Sequence, residues 1–111
     1  MFIAMNRFKV IKGEEKAFEH LWLSRETYLD QLPGFIEFRL LRGPERDDHT
    51  LYSSHTLWAD KEMFAAWTQS EQFRAAHAKA GGNKPLHLGH PEFEGFETIQ
   101  LIRNLRLQDV A

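Results

Sequence analysis

Residues 2–11, FIAMNRFKVI, alternate with a period of two, and this commits the N-terminus to a β-strand. One face takes Phe2, Ala4, Asn6, Phe8 and Val10; the other takes Ile3, Met5, Arg7, Lys9 and Ile11. The second face is mixed, and the apolar stems of its charged side chains can cover a neighbour. The first would be wholly apolar but for Asn6. A buried amide without a partner costs about 1–3 kcal/mol. A polar side chain in the middle of a core face therefore demands a partner. That partner is either a local hydrogen bond or a ligand.

The rest of the chain supplies the elements that such a strand needs. Gly13 breaks the strand, and Glu14 to Leu32 reads as a helix with Phe18, Leu21, Trp22, Leu29 and Leu32 on its apolar stripe. Pro33-Gly34 ends it. Residues 35–43 and 50–58 read as two strands of an antiparallel hairpin joined by the polar turn PERDDH. Asp60 is a good N-cap for a second helix carrying Met63, Phe64 and Trp67. Ser70 interrupts that helix, and Glu71 to Ala80 starts a new helical run with Phe73 and His77 four residues apart. Residues 81–94, GGNKPLHLGHPEFE, read as a long loop, and 95–107 as the last strand. The order β-α-β-β-α-β predicts a single α+β domain over 1–111. It is a ferredoxin-like plait, a four-stranded antiparallel sheet with both helices on one face. Apolar residues left on the other face predict a homodimer.

Composition excludes several functions. The formal charge of −2 and the lack of a basic face argue against nucleic acid. No apolar run is long enough to span a membrane, and no signal peptide opens the sequence, so the expected location is cytoplasmic. With no Cys there is no disulfide, thiolate ligand or cysteine nucleophile. Three Trp and nine Phe are many for this length, and they suit a core, a subunit interface or an aromatic-lined pocket.

The segment WTQSEQFRAAH, residues 67–77, concentrates the chemistry. His77 suits a paired histidine near a helix end, where positive charge is welcome, or a metal ligand. No second His or carboxylate stands three or four residues away to complete a protein-only cage. A lone imidazole ligand suits a macrocycle that supplies the remaining donors, as in heme ligation. Trp67 suits either core packing or the wall of a planar cofactor. Asn6 suits either a local hydrogen bond or a bound ligand.

The pieces NRF near the start, LPGF at 32–35, TLW at 56–58 and AAWTQSEQFRAAH at 65–77 resemble a known family. It comprises the small bacterial heme-degrading monooxygenases of the iron-regulated surface determinant type, within the antibiotic-biosynthesis-monooxygenase superfamily. The resemblance covers nearly the whole chain and is weakest at 81–94. It implies a dimeric α+β barrel built from two plaits, with heme as both substrate and cofactor in a pocket between sheet and helices. It implies His77 as the proximal iron ligand, Trp67 as a pocket wall that favours a ruffled heme, and Asn6 as a hydrogen-bonding group toward the distal ligand. Trp22, Phe64 and Phe73 are expected to pack at the pocket. Arg25, Lys79 and Lys84 suit either a contact with the propionates or a solvated surface, and His87 and His90 suit the pocket mouth or solvent. The implied reaction opens the porphyrin with O2 and electrons from an external reductase and frees iron. Two other functions share the fold: a cofactor-independent monooxygenase acting on aromatic or quinol substrates, and a heme-binding dimer without turnover.

Overall fold

The chain was analysed as a computed structural model that describes residues 1–25, 28–70, 73 and 85–104. Its strands are β1 (Phe2–Ile11), β2 (Phe35–Glu45), β3 (His49–Trp58) and β4 (His87–Glu97). Its helices are α1 (Glu15–Leu23) and α2 (Lys61–Thr68), with a 3-10 turn at Leu29–Gln31. The strands form one sheet in the order β2-β3-β1-β4, with every neighbouring pair antiparallel.

The period-two reading of β1 holds. Phe2, Ala4, Phe8 and Val10 are buried, while Arg7 and Lys9 on the other face are exposed. Register carries the same face onto β3, where Thr50, Tyr52, Ser54, Thr56 and Trp58 stand opposite Val10, Phe8, Asn6, Ala4 and Phe2. Both helices cover this face, and they cover different ends of it. The α1 residue Phe18 packs with Phe8, Val10 and Tyr52, joined by Trp22, Leu40 and Leu86. The α2 residues Phe64 and Trp67 pack with Phe2, Ala4, Leu29 and Trp58. Burial of each large side chain contributes about 1.5–3 kcal/mol, so each cluster holds its helix down independently.

Three expectations need correction. The first helix stops at Leu23, well short of Leu32. The Ser24 hydroxyl donates to the carbonyls of His20 and Leu21, and Tyr28 takes a left-handed conformation at φ 60° that no helix can contain. The last strand runs from His87 to Glu97, not from 95 to 107, so most of the expected loop is strand. Residues 98–104 lie outside any strand. Finally, the dimeric α+β barrel is overturned: this is a single chain whose sheet stays open, with β2 and β4 as unjoined edges. Four strands are too few to close around a filled interior.

β4 tolerates its unhelpful sequence because it is an edge strand. Arg7 pairs with Glu92 and Lys9 with Leu88, so Gly89, His90 and Pro91 bulge out opposite Phe8. Gly89 takes φ 64° in that bulge. Pro91 lacks an N–H, which an edge or a bulge does not need.

Candidate functional site

The split between the two aromatic clusters makes the site. Along β1 the sequence of inward residues is Phe2, Ala4, Asn6, Phe8, Val10; the first two belong to the α2 cluster and the last two to the α1 cluster. Asn6 belongs to neither and is half-buried between them. Its side chain makes no hydrogen bond among the described residues. The local hydrogen bond that would explain a polar residue on this face is therefore missing.

At the level of Asn6 the sheet presents one row across all strands. Phe93 of β4 and Ser54 of β3 flank Asn6, and Leu40 of β2 follows Ser54. Ser54 is buried; Phe93 is 51% exposed. On the α1 side of the row, Trp22 meets Phe8 edge-on at 5.7 Å, and it reaches across to stack on Phe38, which packs with the α2 cluster, with centroids 5.8 Å apart. The Arg25 guanidinium lies 4.7 Å over the Trp22 ring, a cation–π contact. Burial pulls the Arg25 pKa down from its ordinary value. On the other side, Trp67 lies 5.4 Å from Trp58, 6.0 Å from Phe64 and 4.8 Å from Phe73. Phe64 in turn stacks on Phe93, 5.7 Å away with ring planes 7° apart.

The helix that carries Trp67 is placed by its caps. Asp60 accepts a hydrogen bond from the Met63 amide at 2.8 Å, as an N-cap should. At the other end the Ser70 hydroxyl donates to the Trp67 carbonyl at 2.6 Å and accepts from the Phe73 amide at 3.1 Å. The helix therefore stops just before Ser70, as its sequence position suggested, whereas the further helical run expected over 71–80 lies, apart from Phe73, outside the described residues. Trp67 also lines a cavity of about 280 Å³ with Gln31, Leu32, Pro33, Met63, Ala66 and Ser70. A second cavity, of about 320 Å³, lies at Arg7, Lys9, Leu51, Leu88, Gly89, His90 and Glu92. Register puts Arg7, Lys9 and Leu51 on the sheet face opposite Asn6.

The structure thus brings Phe64, Phe73 and Trp67 together, holds Trp22 in the other cluster, and leaves Asn6 between the two. His77, Lys79 and Lys84 lie outside the described residues. Among the described residues, no group of three or more His, Asp or Glu is placed to hold a metal ion. His87 stands on the helix-covered face, edge-on to Phe8 at 5.4 Å, and its Nδ1 lies 2.9 Å from the Gly89 carbonyl. A carbonyl only accepts, so Nδ1 is the donor of this contact. His90 is exposed on the bulge.

Phe93, Ser54 and Phe38 were missed as site residues. Phe38 and Ser54 lie in the two strands expected at 35–43 and 50–58, and a period-two reading of those strands would have put them on the inward face. Phe93 was hidden by the glycines and prolines around it.

Comparison with known proteins places this arrangement. The antibiotic biosynthesis monooxygenase family model matches residues 1–79. A heme-degrading monooxygenase of Bacillus thuringiensis is 33% identical over 85 residues, covering 74% of this chain and 76% of that protein. The solved structure of the heme-degrader MhuD from Mycobacterium tuberculosis, with two hemes bound in its active site, is 28% identical. It has a TM-score of 0.72 and covers 93% of this chain and 100% of that one. SnoaB, a cofactor-independent oxygenase from Streptomyces nogalater, shares the fold at 23% identity and a TM-score of 0.65, covering 93% of this chain and 97% of that one. A polar residue set between two aromatic groups on one face of a plait is thus found in a chain that belongs to the antibiotic biosynthesis monooxygenase family and is homologous to heme-degrading monooxygenases.

Proposed function

We propose that this protein is a heme-degrading monooxygenase of the iron-regulated surface determinant type. It would bind heme over Asn6, between the Trp22 and Trp67 aromatic groups, and open the porphyrin ring. The observation that carries this reading is the Asn6 side chain, half-buried between the apolar Ala4 and Phe8 and without a hydrogen bond among the described residues. Homology to heme-degrading monooxygenases supports it. When bound, the heme iron supplies the activation of O2, with electrons from an external reductase. The chain's own contribution is position. Trp67 and Phe64 form one wall and Trp22 the other, and together they exclude water from an apolar ring system. The Asn6 amide offers both a donor and an acceptor to a polar group bound at the face of the ring. His77 is proposed as the residue that would hold the iron, on the resemblance of AAWTQSEQFRAAH to the heme-degrading family. Arg25, held over Trp22, is placed to meet a carboxylate at the ring margin. The cysteine-free sequence suits work in the cytoplasm.

The test is hemin titration followed by aerobic turnover with ascorbate. The wild-type Soret band should shift on binding and decay on turnover, and the shift should be lost in His77→Ala. Asn6→Ala should keep hemin and lose at least about tenfold in rate, in line with removal of one preorganised hydrogen-bonding group. Hemin bound without decay would leave a heme-binding protein without turnover. No hemin binding at all would favour the cofactor-independent oxygenase.

A further inference from the structure

We infer that Phe93 orients the flat substrate over Asn6 and so selects which edge of its ring is opened. The inference rests on the heme reading above and extends it to the regiochemistry. Phe93 is the β4 member of the row that contains Asn6, and it stands on the same face of the sheet. Its plane is fixed from one side: Phe64 lies parallel to it, 7° from coplanar at 5.7 Å. Half of the ring is nevertheless exposed, whereas Phe2, Phe8, Phe18 and Trp58 on the same covered face are all buried. A fixed aromatic surface that is still open, next to an amide without a hydrogen bond among the described residues, suits a flat apolar ligand that would complete its burial.

The asymmetry of the row gives this surface its effect. Asn6 has a ring on its β4 side and a small hydroxyl, Ser54, on its β3 side. A tetrapyrrole carries several inequivalent bridging carbons around its rim. Held by its flat faces alone, it could turn in its own plane and bring any of them toward Asn6. A bulky, half-exposed ring on the β4 flank and a small, buried hydroxyl on the other remove that freedom, because substituents at the rim meet Phe93 on one side only. Phe93 is therefore a positioning residue: it acts through the pose of the substrate and not on the reacting bond.

The experiment compares wild type, Phe93→Ala and Phe93→Tyr. Hemin affinity is read from the Soret titration, and the tetrapyrrole isomers formed with ascorbate and air are separated by chromatography and identified by mass and absorption. Phe93→Ala is expected to bind hemin about 2–10-fold more weakly, the value of one aromatic contact, and to change the isomer ratio. Phe93→Tyr keeps the ring and should keep both. The isomer ratio is the decisive readout, since a loss of stability alone would change the amount of product and not its identity. An unchanged ratio in Phe93→Ala overturns the inference, whatever happens to affinity. Wild-type protein that neither binds hemin nor opens it would sink the heme reading itself, and the role of Phe93 with it.

Discussion

Replacing Asn6 with Leu should make the protein more stable and less active. Asn6 sits on the apolar face of β1 between two clusters, half-buried and without a side-chain hydrogen bond among the described residues. A fully buried unpaired amide costs about 1–3 kcal/mol. At half burial, with solvent still reaching it, the amide costs roughly 0.5–1 kcal/mol by the same measure. A Leu that is half-buried at the same place contributes about 1 kcal/mol. Leu is bulkier than Asn, but the half-exposed Phe93 flank leaves it room, so strain offsets only part of this. The sum is a gain of about 1–2 kcal/mol, which for a domain of this size raises the melting temperature by roughly 5–10 °C. Circular dichroism melts and urea titrations of the hemin-free protein measure it directly. Turnover with hemin, ascorbate and air should fall at least tenfold, about the effect of losing one preorganised hydrogen-bonding group. If Asn6→Leu is neutral or destabilising, the amide makes a structural hydrogen bond, and the argument that it awaits a ligand fails.

Two further perturbations test the frame around the site. The Tyr52 hydroxyl donates to the Glu19 carboxylate, and burial together with that carboxylate pushes its pKa up to about 12. The folded state therefore keeps the proton longer than an unfolded chain, whose tyrosine ionises near about pH 10. The stabilisation is complete below about pH 10 and is lost as pH rises toward about 12, by up to about 2–3 kcal/mol; Tyr52→Phe should flatten urea-unfolding midpoints across that window, and an unaltered slope would contradict the linkage. Gly34→Ala should cost about 2–3 kcal/mol, because φ there is 83° and an added Cβ would stand 2.5 Å from Met63 Cγ and 2.6 Å from Met63 Cβ. Met63 Cβ cannot rotate away, so α2 must move; a melting temperature within a degree or so of wild type would show that it need not.

The parts of this fold that were legible in the sequence are those fixed by local chemistry. The period of β1, the hairpin of β2 and β3, the Asp60 cap and the break at Ser70 each follow from residues a few positions apart. The parts that were not legible depend on distant partners. Nothing near Tyr28 announces a left-handed backbone, which a bulky aromatic adopts only when its surroundings hold it there. β4 reads as loop because Gly89, Pro91 and Gly95 are poor strand residues, and only its place at the edge makes them acceptable. Missing that strand hid Phe93, although the oddity it stands beside, Asn6, was plain from the first ten residues. The dimeric barrel followed from the resemblance and from apolar residues on the open face, and the single open sheet corrects it. His77, the residue on which most of the chemistry was expected to rest, lies outside the described residues.

The bulge in β4 has a consequence for the life of the protein outside its reaction. A free sheet edge is a row of unsatisfied amides and carbonyls, and a passing extended peptide can add to it; this is a common start of aggregation. Here that edge also carries the aromatic ring beside Asn6, so sealing it with another strand or a helix would close the approach to the site. The chain instead spoils the edge as a template. Pro91 deletes a donor, and the Gly89–Pro91 bulge throws the spacing out of register. An intruding strand finds no regular ladder to extend, while the half-exposed Phe93 ring stays open to a flat molecule. Substituting Pro91 with a strand-forming residue would thus threaten solubility before it touched catalysis.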